Sequence, residues 1–337
     1  MNDLVSICIP TYSRPSLLSK ALASCALQNY DALEILVGDD SPDESSAEVI
    51  EAFRSRTDWS FTYYRNDPPL GQRMNVAHLF EHARGDRIVL LHDDDVLLPN
   101  AVSDLAAPWS AHSNLAVTFG KQEVISETGA VEYEKMKRAE ALYGKVGCEG
   151  LMPSALRPIF LHQVPNDGYM ISASVAREIG YSSGAPSDKL GFYCDFDFLL
   201  RLGAALGPNR IYFLDRLVSQ YRLTRISVTN AARARKFEQA AATIALVKRI
   251  ESMQIPPSLE PEKAVALYRL GDSLVKACAL TGQRGRAIRL FMSSTYGWRR
   301  RMSAKGLYHL ALILDARFDA LRAKLDSRLG IDFSTRA

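Results

Sequence analysis

The first hundred residues alternate between short unbroken apolar runs and stretches with helical spacing, and nothing else in the chain restricts its fold as much. Leu4 to Pro10, Leu33 to Val37, Phe61 to Arg65 and Ile88 to Leu91 read as strands, the continuous apolar ones suited to burial on both faces of a sheet. Between them, Leu17, Leu18, Ala21, Leu22 and Cys25 recur at helical spacing behind Ser16, which reads as a cap. Further helices are predicted from Ser45 to Arg54 and from the segment Gly71-Gln72-Arg73-Met74-Asn75 to about His82. Strands and helices in this order predict an α/β fold with a mostly parallel central sheet flanked by helices.

Polar groups follow the carboxyl ends of these strands: Thr11 and Arg14, then Asp39 and Asp40, then the triplet Asp93, Asp94 and Asp95. Ligands of open α/β sheets bind in the crevice outside those ends. Taken alone, the triplet reads either as a solvated acidic turn or as a site for a hard divalent cation, Mn²⁺ or Mg²⁺. The coincidence of several polar strand ends favours the cation. No Gly-x-Gly-x-x-Gly follows the first strand and no Gly-Lys-Ser/Thr loop occurs, which argues against the common dinucleotide and phosphate-loop folds.

Charge and cysteine usage narrow the class further. A net charge of +3 over 337 residues gives no reason to expect nucleic acid as a partner. Five scattered cysteines without a close pair fit reduced thiols rather than a disulfide framework or a zinc site. No basic region precedes the strand at Val5, and no apolar run is long enough to cross a bilayer. The expectation is a cytoplasmic protein, with peripheral attachment to the inner face of the membrane as an option.

Three segments, Val5-Ser6-Ile7-Cys8-Ile9-Pro10-Thr11-Tyr12-Ser13-Arg14, Ile35-Leu36-Val37-Gly38-Asp39-Asp40-Ser41 and Leu91-His92-Asp93-Asp94-Asp95-Val96-Leu97-Leu98-Pro99, together resemble family 2 glycosyltransferases. These are inverting enzymes of the GT-A fold that use a nucleotide sugar and a divalent metal. The resemblance covers residues 4 to 225. It implies that Pro10, Thr11, Tyr12 and Arg14 flank the nucleotide, that Asp39 accepts from the ring N–H of the base, and that Asp40 lies near the ribose. It further implies donor contacts from Gly71 and Arg73, with Asn75 as a cap or packing residue. Asp93 falls near the ribose or a metal-bound water, and Asp94 and Asp95 fall at the metal. His92 stands where the family often has a first Asp, and is expected to be hydrogen-bonded filler rather than a metal-side group.

In the second half, Ala116 to Phe119 reads as a strand, whereas Lys121 to Gly150 is polar and irregular. Tyr169 to Gly180 resembles the family segment leading to the acceptor site, with Gly180 suited to a helix C-cap before the loop Tyr181 to Leu190. Cys194-Asp195-Phe196-Asp197 falls where the family has Glu-Asp-x-Asp, with Cys194 in place of the Glu, and the resemblance implies that Asp195, otherwise readable as an N-cap, is the catalytic base. Cys194 reads as a packed small side chain. Ile211 to Tyr221 is a predicted strand, and Tyr221 to Ser227 resembles the family's closing segment with Thr224 in place of its His. There, Arg222 or Arg225 is expected to bind the diphosphate.

Beyond residue 229 the chain reads as helical, from Arg233 to Met253, Pro261 to Leu280, on through Met292, and Ser303 to Leu329. From Ser273 to Leu314 there is no Asp or Glu, while Lys276, Arg284, Arg286, Arg289, Arg299, Arg300, Arg301 and Lys305 fall among Tyr296, Trp298 and Tyr308. That composition suits an anionic membrane surface, or equally a solvated helical face or an oligomer contact. The expected organisation is a nucleotide-sugar-binding half over 1–107, an acceptor-binding half over 108–229, and an α-helical extension over 230–337. The expected function is inverting, metal-dependent transfer of a sugar from a nucleotide donor, UDP first and dTDP second, to a hydroxyl of a glycan or lipid-linked acceptor in surface polysaccharide synthesis. A donor-binding scaffold without turnover and a nucleotidyltransferase are the alternatives.

Overall fold

A computed structural model of the chain describes residues 3–55, 59–144, 146–182, 190, 193–224, 236–293 and 296–314. The chain divides into two compact units, one of Met1–Gly184 with Cys194–Ser227 and the other of Ala185–Tyr193 with Val228–Ala337.

The first unit opens with β1 (Val5–Thr11), α1 (Pro15–Ala26), β2 (Leu33–Asp39), α2 (Ser45–Arg54), β3 (Ser60–Arg65), α3 (Gln72–His82) and β4 (Arg87–Leu90). It continues with β5 (Val96–Leu97), α4 (Ala101–Ala106), β6 (Val117–Ile125), α5 (Tyr133–Tyr143), β7 (Gly150–Met152), α6 (Leu156–Phe160), β8 (Met170–Ser172), α7 (Ala173–Ile179), α8 (Cys194–Ala205) and β9 (Ile211–Arg222). These strands form one sheet in the order β3-β2-β1-β4-β8-β6-β9-β5, with β7 paired to β9. Pairing is parallel from β3 through β4, and again between β6 and β9; the β4–β8, β8–β6, β9–β5 and β7–β9 pairs are antiparallel.

Alternation along β1 explains how both faces are covered. Val5, Ile7 and Ile9 join Leu18 and Leu22 of α1, Ile35 and Val37 of β2, and Val102 and Leu105 of α4 in one core. Cys8 points the other way, where its Sγ meets the carbonyl of Leu79 in α3. There Gly38 is required by close approach: a Cβ on it would lie 2.0 Å from Asn75 Oδ1. Asn75 uses that proximity to donate to the Gly38 carbonyl at 2.8 Å and to accept from Asn66 at 3.2 Å, so it packs α3 onto β2 rather than capping the helix.

Two local expectations are corrected. Ser16 does not cap α1; Arg14 occupies that place without a side-chain bond, and Pro15 starts the helix, where its missing N–H costs nothing. Lys121 to Gly150 is not irregular throughout. β6 extends to Ile125, and α5 follows with no buried residue, so it has no apolar stripe from which it could be read.

The second unit is helical: α9 (Lys236–Ser252), α10 (Glu260–Leu280), α11 (Arg284–Met292), α12 (Trp298–Arg301) and α13 (Ala304–Leu314). The expected helix start at Arg233 and its continuation from residue 315 to Leu329 lie outside the described residues. Among the described residues no helix is long and apolar enough to cross a membrane.

Candidate functional site

Parallel register brings the polar strand ends together. Thr11 pairs with Asp39 across β1 and β2, and Cys8 pairs with Leu90 across β1 and β4, so the residues after each strand emerge side by side. Asp93 is buried there with both oxygens engaged. Its Oδ2 accepts from Thr11 Oγ1 at 2.7 Å and from the Tyr12 amide at 3.4 Å, and its Oδ1 accepts from Arg14 Nη1 at 2.9 Å. The same Arg14 nitrogen reaches Asp94 Oδ2 at 2.9 Å, so one guanidinium supplies counter-charge to two carboxylates. Pro10 is buried within β1, whereas the Tyr12 ring is exposed.

Asp95 is held from the other side of the sheet. β5 pairs with β9, Val96 opposite Gln220, and the Arg222 amide donates to Asp95 Oδ1 at 2.6 Å. Asp95 Oδ2 is buried without a hydrogen-bond partner. The Arg222 side chain is directed at main-chain carbonyls: its Nε donates to the Asp94 carbonyl at 3.0 Å, and its Nη1 to those of Ser126 and Glu127 at 3.4 Å. Those contacts tie the Arg222 side chain to the acidic turn and to the turn that follows β6. Arg225 lies outside the described residues. Thr224 Oγ1 stands 3.5 Å from Asp94 Oδ2.

His92 is not the hydrogen-bonded filler expected of it. Its Nε2 is buried without a hydrogen-bond partner and stands 3.5 Å from Asp195 Oδ1. Its amide donates to Asp167 Oδ2 at 3.0 Å, and Asp167 Oδ1 accepts from Gln122 at 3.1 Å. His92, Asp94 and Asp95 each offer a ligand atom, all within 4.8 Å of one another. His92 thus touches both the acidic turn and Asp195.

The charges of this cluster are poorly balanced. Burial lifts the Asp93 carboxyl to about 6; Arg14 pulls it down and Asp94 pushes it up. Burial and the charges of Asp167 and Asp94 raise Asp95 well above the usual carboxylate range. Burial also raises Asp167, with His92 pulling the other way. For His92, burial disfavours the cation, but the carboxylates of Asp195, Asp167 and Asp95 outweigh it and hold the imidazole well above its ordinary value. Two orphaned buried atoms, Asp95 Oδ2 and His92 Nε2, beside a carboxylate cluster that resists ionisation form a donor set that fits a divalent cation.

Asp195 sits in the first turn of α8, which forms because Phe198, Leu199 and Leu202 fall on its buried side. Arg201, one turn on, pairs with Asp197 at 3.0 Å and donates to the carbonyls of Ile179, Gly180 and Tyr181 at 2.7–2.9 Å. That clamp fixes the chain leaving α7 at the Gly180 cap. Tyr181, packed against Phe80 and Phe198, donates its hydroxyl to Asp195 Oδ1. Gln72 Nε2 at the start of α3 is 3.4 Å from Asp195 Oδ2. Cys194 is packed as expected, its thiol raised by burial.

On β2, Asp39 is fully buried: Oδ1 accepts from the Ser41 amide at 2.8 Å and Oδ2 from the Tyr63 hydroxyl at 2.9 Å. Asp40 Oδ1 accepts from Asn66 at 2.9 Å and from the Leu70 amide at 3.0 Å. Gly71 precedes α3 at φ +78°, which favours glycine, and Arg73 donates to the Ser182 carbonyl at 2.8 Å. Gln72, Tyr181, Asp167 and Arg201 escaped sequence reading. Only Arg201 had a signal, the i, i+4 spacing from Asp197 on a helix already predicted.

Known proteins extend this description. Residues 6–150 match the model of glycosyl transferase family 2. The Campylobacter jejuni GalNAc(5)-diNAcBac-PP-undecaprenol beta-1,3-glucosyltransferase is 30% identical over 116 residues, covering 34% of this chain and 37% of that protein. Two solved structures share the fold: the Pyrobaculum calidifontis mannosyltransferase PcManGT in complex with GDP-Man and Mn²⁺, and S. aureus TarS 1-349 in complex with UDP. PcManGT has a TM-score of 0.59 at 13% identity, over 98% of this chain and 89% of that one. TarS has a TM-score of 0.57 at 16% identity, over 97% and 92%. The chain spans between 27% and 61% of the length of the first curated relatives it matches. Residues 6–150 are therefore similar to glycosyl transferase family 2, within a mixed sheet that is GT-A-like.

Proposed function

We propose that the protein transfers a sugar, with inversion, from a nucleotide donor to a hydroxyl of a glycan or lipid-linked acceptor. The observation that carries this reading is His92, whose ring stands beside Asp94 and Asp95 on one side and 3.5 Å from Asp195 on the other. Donor and acceptor chemistry need those groups close together. The Campylobacter jejuni relative, named for a polyprenyl-diphosphate-linked acceptor, supports the acceptor class, and the UDP and GDP-Man complexes of the structural neighbours support the donor class.

In this mechanism Asp39 and Asp40 receive the nucleoside. Each Asp39 oxygen already accepts one bond and keeps a lone pair for a base N–H, with uridine preferred to thymidine. Asp94 and Asp95, with His92 beside them, would hold Mn²⁺ or Mg²⁺, which when bound offsets the charge that develops on the leaving diphosphate. Arg14 and Thr11 keep Asp93 in place behind that pair. Asp195 takes the proton of the acceptor hydroxyl at Oδ2, the oxygen with only a long bond from Gln72, while Tyr181 occupies Oδ1. The hydroxyl attacks the anomeric carbon through an oxocarbenium-like state, from the face opposite the leaving group.

Transfer and donor hydrolysis measured with and without Mn²⁺, for the native protein and Asp195→Asn, test the proposal. The variant is expected to bind UDP normally and to lose about 10²–10⁴-fold in turnover, the range for general-base removal. An Asp195→Asn protein as active as the native one defeats it. A native protein that binds donor and turns over no acceptor supports the scaffold alternative instead.

A further inference from the structure

We infer that the last three helices of the second unit, α11 to α13, form a surface that docks on an anionic lipid bilayer. α13 carries apolar side chains around its circumference. Gly306, His309, Leu312 and Ile313 are buried, while Leu307, Leu310 and Leu314 are exposed on the opposite side at i, i+3, i+7. A helix apolar all round is ordinarily covered on all sides, and among the described residues this one is covered on one. α11 repeats the arrangement, burying Ala287 and Phe291 and exposing Ile288 and Met292. Between them Trp298 and Met302 are 67% and 71% exposed, and Tyr308 is half exposed. Tyr296 does not belong to this surface: it is buried, with its hydroxyl 2.7 Å from His309 Nδ1.

Charge identifies the occupant. The segment from Ser273 to Leu314 has no carboxylate. Some of its cations are drawn inward: Arg300 and Lys305 pair with Asp272, and Arg286 lies 4.0 Å from Glu251. Arg289 and Arg299 remain exposed beside the apolar side chains, Arg299 over the Trp298 ring at 5.6 Å. Exposed leucines, a tryptophan and arginines with no acid among them complement headgroups that are negative above an apolar interior. A second copy of the same surface would oppose arginine to arginine. The inference stands apart from the proposed chemistry, since it is read from the second unit alone.

Co-sedimentation of the full chain with vesicles tests it. Binding is expected with phosphatidylcholine–phosphatidylglycerol vesicles at low salt, with little binding to pure phosphatidylcholine and release at high salt. Arg289→Ala and Arg299→Ala should each weaken binding by about fivefold. Leu307→Ser combined with Leu314→Ser should abolish it while gel filtration and circular dichroism stay native. No sedimentation at low salt, equal sedimentation with both vesicle types, or an unaffected double serine variant overturns the inference. So does a native dimer that the serine substitutions split, which assigns the face to a second copy, or displacement by an oligonucleotide that ignores those substitutions. Sedimentation is read without turnover, so a chain that transfers no sugar can still pass.

Discussion

Removing metal from the acidic turn should make stability fall as pH rises, and the structure sets the size of the effect. Asp93 titrates at about 6 in the folded chain against the ordinary carboxylate value of 3.8. A folded-state pKa above the unfolded one means that the native protein holds its proton longer, so this stability is full below about pH 4 and is lost as pH climbs through 6. A rise of about two units corresponds to about 3 kcal/mol. Asp95, Asp167 and His92 are shifted in the same direction, so they add to the slope and do not cancel it. For a unit of this size, about 3 kcal/mol moves Tm by roughly 6–12 °C. Mn²⁺ should reverse the trend, because it occupies the ionised ligands and binds better as their protons leave. Thermal denaturation from pH 5 to pH 8, with chelator and with excess Mn²⁺, reads both curves. The chelated protein should melt lower at each step up in pH, and the Mn²⁺-induced shift should widen. A Mn²⁺ shift of equal size at both ends, or one that survives in Asp95→Asn, would refute the reasoning.

Other perturbations report on separate parts of the site. Tyr181→Phe removes the hydroxyl that orients Asp195, so kcat should fall about tenfold or more with KM for the donor unchanged in steady-state kinetics, a hydrogen bond to a charged group being worth about 1.5–3 kcal/mol. Gly38→Ala drives a Cβ into Asn75 Oδ1 and should destabilise the first unit by about 1–3 kcal/mol in urea titration; a loss under about 0.5 kcal/mol would show that α3 yields freely. Thr224→His places an imidazole beside Asp94 and should tighten Mn²⁺ binding by about tenfold in a metal titration, while a weaker complex would mean that Thr224 does not face the ligand set.

Legibility in the sequence followed the physics of each segment. β1, β2, α2 and α3 were readable to within a residue or two because continuous apolar runs and helical spacing mark buried elements directly. The three polar strand ends were readable as one site because parallel strands deliver their ends to one edge. α5 was not, since a helix without a buried face leaves no pattern. Neither was the pairing of Asp195 with Tyr181 and Gln72, which joins residues 14 and 123 positions apart through tertiary packing. The antiparallel pairs made by β8 also lay beyond reading, because a three-residue strand carries too little periodicity to fix its partner.

His92 changes the electrostatics of the acidic turn in a way that its neighbours make consistent. A carboxylate at that position would add a fourth negative charge to Asp93, Asp94 and Asp95, next to Asp167 and Asp195, with Arg14 and Arg222 as the nearby cations. Arg222 already donates its side-chain N–H groups to carbonyls, and Arg14 is divided between Asp93 and Asp94. An imidazole held in its cationic form instead sits between Asp195 and the turn and lowers their mutual repulsion. Replacing His92 by Asp should therefore raise the cost of leaving the metal site empty and lower Tm in chelator at pH 7. Replacing it by Gln, which is neutral, should give an intermediate Tm. Equal Tm values for the Gln and His proteins would mean that the ring's charge plays no part. The ordering Asp, Gln, His separates charge from size, because Gln and His differ little in bulk and differ by a unit of charge.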